Sequence, residues 1–544
     1  MEANIPLVKR VPLLPCPPTH RHPHHVWLSR ECIHLCLFCV IVQLSIVGIA
    51  CNAPHTGQPS SDEAQSVWLL GGKNSQNTRS QPSETTISTA NVGNLAPKWA
   101  VVVAGDVSAT PTTDGRTLYF PDWGGNLNAL KAATGEVVWQ TPVSRYNGVF
   151  SYSRTSPAIV DHGRALIIGD LAAFGNAPAG PGASIIKLDA QTGKPLWMTK
   201  VDSHPEAIIT ANPAVAQNIV IVGVASQEEV AADSADYPCC TFRGSVVALD
   251  ERSGAILWKT YMVPENGGEP GGYSGGGVWG STPAIDFKRG LVYVATGNNY
   301  TVPTSVAACQ AALNLASCVD ANDRIDAVVA LDLLSGAIRW TFQPQFTDNS
   351  TDGCLTGVNC EQPHQNDSEN DNDFAQAPML VNASGRTIVF AGQKSGTGYA
   401  LDPDTGALLW RKALNTGMMW GSATDGQRIY VASARPPAGW SAVDPVTGNT
   451  LWTTSDPTSP NAVGDIGPTS VANGVVYAGS TNSSGPNMFG MDATNGQILF
   501  SFASGSSVAG GPSIANGALY WGSGYSKARL TGNKMIFAFT LNGK

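Results

Sequence analysis

One recurring motif, Ala-x-Asp-x-x-Thr/Ser-Gly-x-x-x-Trp with close variants, runs through most of the sequence. Its apolar alternation predicts a strand, Asp-x-x-Thr-Gly predicts a tight turn with a glycine at positive φ, and Trp begins the next strand. The copies occupy 129–139, 187–197, 248–258, 330–340, 400–410, 442–452 and 490–500. Spacings of roughly 40 to 80 residues suit one four-stranded blade per copy, so the chain is predicted to be a β-propeller.

The two ends of the repeat region predict one further blade. Leu95–Val103 (LAPKWAVVV) holds an orphan strand around Trp99, and Met535–Lys544 (MIFAFTLNGK) is the first half of a motif. Joining them closes the ring and removes open sheet edges. We therefore expect an all-β fold, an eight-bladed propeller over 66–544, whose docked tryptophans each bury on the order of 200 Å².

Composition agrees with this fold and excludes some partners. The chain has 58 glycines, 36 prolines and only 13% charged residues, a balance that favours short strands joined by tight turns. The formal net charge is −9 and no basic stripe accompanies it. Binding to nucleic acid is therefore not expected.

Residues 1–51 differ from the rest and predict an export leader, followed by a linker over 52–65. Basic residues precede the apolar stretch 35–50 (LCLFCVIVQLSIVGIA). This stretch is short for a membrane span, and no later segment is apolar enough, so we expect no transmembrane span in the mature chain. The predicted location is periplasmic or secreted, with a lipid anchor at Cys51 as an alternative.

Cysteine placement agrees with export. Five of the eleven cysteines fall in or at the edge of the leader. Proximity pairs the remaining six as Cys239 with Cys240, Cys309 with Cys318, and Cys354 with Cys360. An even number in the mature chain suits an oxidising compartment.

The repeats resemble those of the PQQ-dependent (quinoprotein) alcohol dehydrogenases, in which pyrroloquinoline quinone lies on the propeller axis. The resemblance spans about 66–544 and implies PQQ- and Ca²⁺-dependent oxidation of an alcohol. A propeller alone does not imply catalysis, because a related scaffold protein of outer-membrane assembly has similar blades. A cofactor-free scaffold that binds protein partners in the cell envelope is the alternative.

Two motifs match the faces of the cofactor site in that family. Adjacent cysteines close only a strained ring, which is rarely kept for stability, and the family places such a vicinal disulfide against the quinone; here the pair is Cys239-Cys240 in YPCCTFRG. The stacking tryptophan matches Trp279 after the glycine run of SGGGVWG. Two buried thiols and a glycine turn with a core tryptophan are the structural alternatives. The third-blade position of the cysteines resembles the polyvinyl alcohol dehydrogenase branch.

The family's calcium ligands map onto three residues. They are Asn298 in ATGNNY, Glu228 in ASQEEV, with Glu229 as its competitor, and Asp373 in NDNDFAQ. Asp373 also matches the general base, because a carboxylate beside Ca²⁺ stays ionised and can accept the alcohol proton. The alternatives are a surface calcium loop and solvated acids.

Further matches predict contacts to PQQ itself. Thr210 corresponds to a threonine that hydrogen-bonds the cofactor, and Lys394 to a cation that reaches the quinone oxygens. Arg154 is a candidate carboxylate clamp, since PQQ is a tricarboxylate. Blade-end salt bridges are the alternative for both cations. Trp420 points toward the same region or belongs to the core.

The resemblance implies oxidation of secondary alcohols such as polyvinyl alcohol, with Ca²⁺ as Lewis acid and PQQ as electron sink. A c-type haem requires Cys-x-x-Cys-His, but Cys36-Leu-Phe-Cys39 is followed by Val40. The electrons are therefore expected to pass to an external acceptor such as cytochrome c. A sugar dehydrogenase is less favoured, because those propellers differ in blade motif.

Overall fold

The computed structural model describes residues 66–172, 180–280, 282–313, 315–360, 372–458, 461 and 464–544. The predicted leader, Cys51 and the linker lie outside these residues, as does most of the acidic stretch before Asp373. The described residues form eight antiparallel four-stranded blades, which confirms the predicted propeller. No helix in this part of the chain is long and apolar enough to cross a bilayer.

The strands of the first four blades follow one another along the chain. Blade 1 has Thr112–Thr113, Thr117–Pro121, Asn126–Lys131 and Val137–Pro142; blade 2 has Ala158–Val160, Ala165–Gly169, Ala183–Asp189 and Pro195–Asp202. Blade 3 has Ala214–Ala216, Ile219–Ser226, Ser245–Asp250 and Ile256–Tyr261, with Ala207–Ile208 added to it; blade 4 has Ala284–Asp286, Leu291–Ala295, Val328–Asp332 and Ile338–Phe342.

The remaining blades repeat this order. Blade 5 has Met379–Ala383, Arg386–Gly392, Thr397–Leu401 and Leu408–Ala413; blade 6 has Ala423–Thr424, Ile429–Ala432, Gly439–Val443 and Thr450–Ser455. Blade 7 has Ser470–Ala472, Val475–Gly479, Met488–Asp492 and Ile498–Phe502, with Ser80–Gln81 in parallel beside it; blade 8 has Ser513–Ala515, Ala518–Ser523, Met535–Leu541 and Leu95–Val102.

Few elements lie outside the blades. Ser274–Gly275 pairs with Asn299–Thr301, and the α-helices are Ser144–Asn147, Glu228–Ala231 and Thr304–Leu313. The 3-10 turns are Val92–Asn94, Asp161–Gly163, Ala316–Cys318, Asp352–Leu355 and Ser526–Ala528. Three insertions contain disulfides, so all three predicted cysteine pairs are confirmed.

The motif tryptophans join neighbouring blades as predicted. Trp258 of blade 3 donates from Nε1 to the carbonyl of Leu333 in blade 4 at 3.1 Å. A Cβ on Gly336, in the same turn of blade 4, would lie 2.4 Å from that ring, so only glycine lets the indole lie flat on the turn. Equivalent bonds of 2.9–3.1 Å join Trp99 to Ala132, Trp139 to Ala190, Trp197 to Glu251, Trp340 to Pro403, Trp410 to Pro445, and Trp452 to Ala493.

The ring closes through strands from both ends of the repeat region. Leu95–Val102 pairs antiparallel with Met535–Leu541, and Trp99 faces Ala538. At the junction of blades 7 and 8 a phenylalanine takes the tryptophan position, and Phe500 meets Phe539 edge-on at 5.8 Å. The predicted closure of the eighth blade is thus confirmed.

Candidate active site

The blades enclose a cavity on the propeller axis. The residues that line it include Thr110, Arg154, Thr210, Gly280, Trp420 and Pro468, which lead into the first strands of blades 1, 2, 3, 4, 6 and 7. Only a position on the axis is shared by so many blades. Two residues predicted to bind the cofactor, Thr210 and Arg154, are among these lining residues.

Three predicted site residues meet beside this cavity. Trp279 Nε1 donates a hydrogen bond to Asp373 Oδ2 at 2.7 Å. Lys394 Nζ lies 2.7 Å from Asp373 Oδ1 and 4.9 Å from the centre of the Trp279 ring. Asp373 is only 2% exposed, so its charge is balanced by the ammonium and the indole N–H rather than by water. The group presents an aromatic face, a buried carboxylate and a cation together.

The local backbone explains why these three side chains meet. Thr210 Oγ1 donates to the carbonyl of Trp279 at 3.0 Å, which fixes the indole beside the cavity wall. Lys394 N donates to the carbonyl of Asp373 at 3.1 Å and ties the turn between Arg386–Gly392 and Thr397–Leu401 to the segment that enters blade 5. A Cβ on Gly297 would lie 3.0 Å from Asp373 Oδ2 and 3.2 Å from Trp279 Nε1, so this contact depends on a residue without a side chain.

The vicinal disulfide lies in a loop that runs along the glycine segment before Trp279. Cys239 and Cys240 are bonded to each other, and Cys240 is fully buried. Two residues beyond them, the carbonyl of Phe242 accepts a hydrogen bond from Gly275 N at 2.9 Å, and Gly244 N donates to the carbonyl of Gly275 at 2.8 Å. The structure therefore brings both predicted cofactor-facing motifs to the junction of blades 3 and 4.

Glu228 holds the disulfide loop in place. Its Oε1 accepts hydrogen bonds from Thr241 N at 2.7 Å and from the Tyr237 hydroxyl at 3.1 Å, and its Oε2 accepts one from Phe242 N at 2.8 Å. His204 Nε2 lies 3.5 Å from Oε1. Both carboxylate oxygens of this fully buried residue are thus already engaged by the segment that follows the cysteines. The sequence did not reveal this contact, because two of the three donors are backbone amides.

Negative charge gathers around Tyr300, which links the disulfide loop to the Asp373 side of the site. Tyr300 packs in the same apolar cluster as Cys240 and Phe242. Burial raises the pKa of its hydroxyl well above the ordinary value, and the nearby charges of Glu229, Glu228 and Asp373 add to this effect. Lys394 pairs with Asp373 in this acidic region.

Asn298 lies in the segment between Gly297, which is next to Asp373, and Tyr300, which packs with Cys240. Its Nδ2 donates to the carbonyls of Ser350 at 2.8 Å and Asn299 at 2.9 Å, so the orientation of the amide is fixed. Among the described residues, no three His, Cys, Asp or Glu side chains are placed to hold a metal ion by themselves. An ion here would therefore take amide as well as carboxylate oxygens.

Two arginines reach the cavity, and the sequence indicated only one of them. The Arg154 guanidinium lies 4.3 Å from the centre of the Trp420 ring and 5.5 Å from that of Tyr525. Arg79 also lines the cavity and is 1% exposed. It lies in NTRSQP, outside the motifs matched above, so only the tertiary structure reveals it.

Two family models match successive parts of the chain. The family model described as "Glucose/ethanol/alcohol dehydrogenase, beta-propeller domain", a PQQ family, matches residues 68–349. A second model, "Outer membrane protein assembly factor BamB", matches residues 324–534. The first model covers more than half of the chain, including the disulfide loop, Trp279 and Asn298.

Two curated relatives are similar over most of their length. A polyvinylalcohol dehydrogenase of Pseudomonas sp is 30% identical over 88% of this chain and 77% of the relative. A polyvinylalcohol dehydrogenase of Sphingopyxis sp. (strain 113P3) is 29% identical over 92% and 81%. The solved quinohemoprotein alcohol dehydrogenase of Comamonas testosteroni superposes with a TM-score of 0.65 at 18% identity, over 88% of this chain and 81% of that one, which agrees with the fold.

Proposed function

Because the chain belongs to the PQQ-dependent alcohol dehydrogenase family, we propose that it oxidises secondary alcohols, polyvinyl alcohol among them, with PQQ and Ca²⁺ as cofactors. The observation that carries the proposal is the contact of Asp373 with both Trp279 and Lys394 beside the axial cavity. A buried carboxylate next to an aromatic face is what proton removal beside a planar quinone requires. The two polyvinylalcohol dehydrogenases support the substrate class.

The residues present fit PQQ. The cofactor is a flat tricarboxylate, so its site needs aromatic or sulfur surfaces for its faces and cations for its rim. Trp279 offers the indole face, and the Cys239–Cys240 loop lies at the same blade junction. Lys394, over the Trp279 ring, and Arg154 offer the cations, and Thr210 lines the same cavity as Arg154. We propose these residues as the cofactor-binding set.

The acidic side of the site fits Ca²⁺. The nitrogen of Asn298 is engaged by two carbonyls, which leaves Oδ1 as the ligand atom, and Asp373 supplies a carboxylate. The third ligand comes from the acidic pair that opens the helix Glu228–Ala231. We propose Glu228 as this ligand, with Glu229 as its competitor; both oxygens of Glu228 also accept hydrogen bonds from the disulfide loop.

Asp373, Lys394 and Trp279 have different roles in the proposed oxidation of the alcohol. PQQ held by Trp279, Lys394 and Arg154 would supply a hydride acceptor, and Ca²⁺ held by Asn298 and Asp373 would supply a Lewis acid. Asp373 accepts the proton of the alcohol hydroxyl, which leaves a ketone. Lys394 and the indole N–H of Trp279 keep Asp373 ionised and oriented for this transfer. Burial of Asp373 keeps water from competing for the proton.

Electrons leave for an external acceptor such as a soluble cytochrome c, and the enzyme works in the periplasm or outside the cell. Three disulfides in the described residues support an oxidising compartment. Residues 1–51 would serve as the export leader.

Reconstitution of the purified protein tests the proposal. The protein is incubated with PQQ and Ca²⁺, and dye reduction is followed with polyvinyl alcohol, a small secondary alcohol or a primary alcohol. Reduction that needs both cofactors and favours the secondary alcohols is expected. Asp373→Asn should abolish turnover and leave quinone binding intact.

The reconstitution experiment can also contradict the proposed function. No alcohol-dependent reduction, together with no quinone spectrum on the protein, would favour the cofactor-free scaffold. The match of residues 324–534 to the family model of an outer membrane protein assembly factor is the observation that favours this alternative.

A further inference from the structure

Arg79 is a buried cation at the wall of the axial cavity. It immediately precedes the short strand Ser80–Gln81, which adds to blade 7, and its side chain turns into the cavity. Nη1 donates to Thr110 Oγ1 at 3.4 Å, and Nη2 donates to the carbonyl of Trp420 at 3.3 Å. Its Nε is buried and has no hydrogen-bond partner.

These contacts do not balance the charge. A guanidinium carries five N–H donors, and here two long hydrogen bonds to neutral oxygens serve them. No carboxylate of the described residues forms an ion pair with Arg79. Burial lowers the pKa of Arg79 to about 10, so the group remains charged at neutral pH. Buried charges in proteins are paired, and an unpaired one calls for an anion.

Arg154 adds a second positive charge to the same wall. Arg79 binds the backbone carbonyl of Trp420, and Arg154 lies against the ring of the same residue. Neither arginine forms an ion pair within the described part of the chain, and both line one cavity. Two like charges at one site repel each other unless an anion lies between or beside them. Planar guanidinium groups match carboxylates best.

We propose that Arg79 and Arg154 form a carboxylate-binding site on the axis, with Arg79 as the fully buried member. That the ligand is PQQ rests on the proposed function. The site itself requires only a carboxylate that pairs with the two guanidinium groups. Arg79 would therefore decide how tightly the cofactor is held, and it would act as a ligand-binding residue and not as a structural cation.

Ligand binding by the full chain without bound cofactor tests this proposal. The dissociation constant of PQQ is measured by calorimetry for wild type, Arg79→Met and Arg79→Lys, and again with the trimethyl ester of PQQ. Arg79→Met should weaken PQQ binding about 10- to 150-fold, the loss of one charge-assisted hydrogen-bonded group. Arg79→Lys should recover part of the affinity, and the ester should bind wild type and Arg79→Met alike. Arg252→Met removes an exposed cation and is the charge-matched control.

Thermal unfolding separates binding from structure. A structural arginine would lower the melting temperature when removed, whereas an uncompensated one would not. Arg79→Met without ligand should therefore melt at or above the wild-type temperature and show a smaller rise on adding PQQ. A lower melting temperature together with unchanged PQQ affinity would overturn the proposal.

Benzene-1,3,5-tricarboxylate, used as a second ligand, distinguishes failure of the anion-site proposal from failure of the PQQ assignment. If wild type binds benzene-1,3,5-tricarboxylate but not PQQ, and Arg79→Met loses that binding, the anion site stands and the cofactor assignment fails. If Arg79→Met binds every carboxylate as tightly as wild type does, the anion site is refuted even when PQQ-dependent activity is present.

Discussion

Trp279→Phe isolates the hydrogen bond that joins the aromatic face to the catalytic carboxylate. Phenylalanine keeps a flat ring, though a smaller one, and lacks the N–H that donates to Asp373 Oδ2 at 2.7 Å. A hydrogen bond to a charged group is worth about 1.5–3 kcal/mol, which corresponds to about 10- to 150-fold in rate. We expect kcat to fall by this factor, while PQQ affinity falls much less because a ring still covers the quinone.

The assay is dye reduction at saturating secondary alcohol, with the bound quinone quantified by its absorbance. Trp440→Phe is the control, because Trp440 is buried in blade 6 and its Nε1 has no partner. That variant should keep wild-type kcat. If Trp279→Phe retains kcat within about threefold of wild type while fully loaded with quinone, the orienting role of the indole N–H is wrong.

Three further outcomes follow from the structure. Gly336→Ala and Gly290→Ala both place alanine at positive φ, +69° and +65°, but only Gly336 faces the Trp258 ring; urea unfolding should therefore show about 1–3 kcal/mol more destabilisation for Gly336→Ala, and equal losses would contradict blade docking. Glu228→Ala leaves the part-buried N–H of Thr241 and the buried N–H of Phe242 without their acceptor, so the free energy of unfolding should fall by about 2–6 kcal/mol, and a loss below about 1 kcal/mol would argue against the loop-holding role. Burial raises the pKa of Asp323 from 3.8 to about 7, so the folded state binds the proton more tightly and its stability should fall as pH rises between these values; Asp323→Asn should flatten that slope in urea titrations at several pH values.

Much of the fold could be predicted because its determinants are local. Most blade turns carry their own Asp, Gly and Trp within eleven residues, and the partner of each of these indoles is the same turn one blade later. Closure followed from two half-motifs, one at each end of the repeat region. Trp279 and Lys394 were indicated by the family resemblance and not by the repeat.

The rest depends on contacts between distant segments. Glu228 stays a predicted metal ligand, but its hydrogen bonds to the disulfide loop could not be predicted, because the turn after Cys240 points backbone amides at it. Arg79 reaches the cavity only because its segment lies beside blade 7, and no spacing in the sequence reports that. Buried backbone donors and long-range insertions leave no pattern in residue type.

A crystal structure of the full chain with PQQ and Ca²⁺ bound tests the central claim most directly. The account predicts quinone density on the propeller axis, with the indole of Trp279 against one face and the Cys239–Cys240 disulfide against the other. Quinone density away from the axis, or a Trp279 ring that does not contact it, would contradict the account.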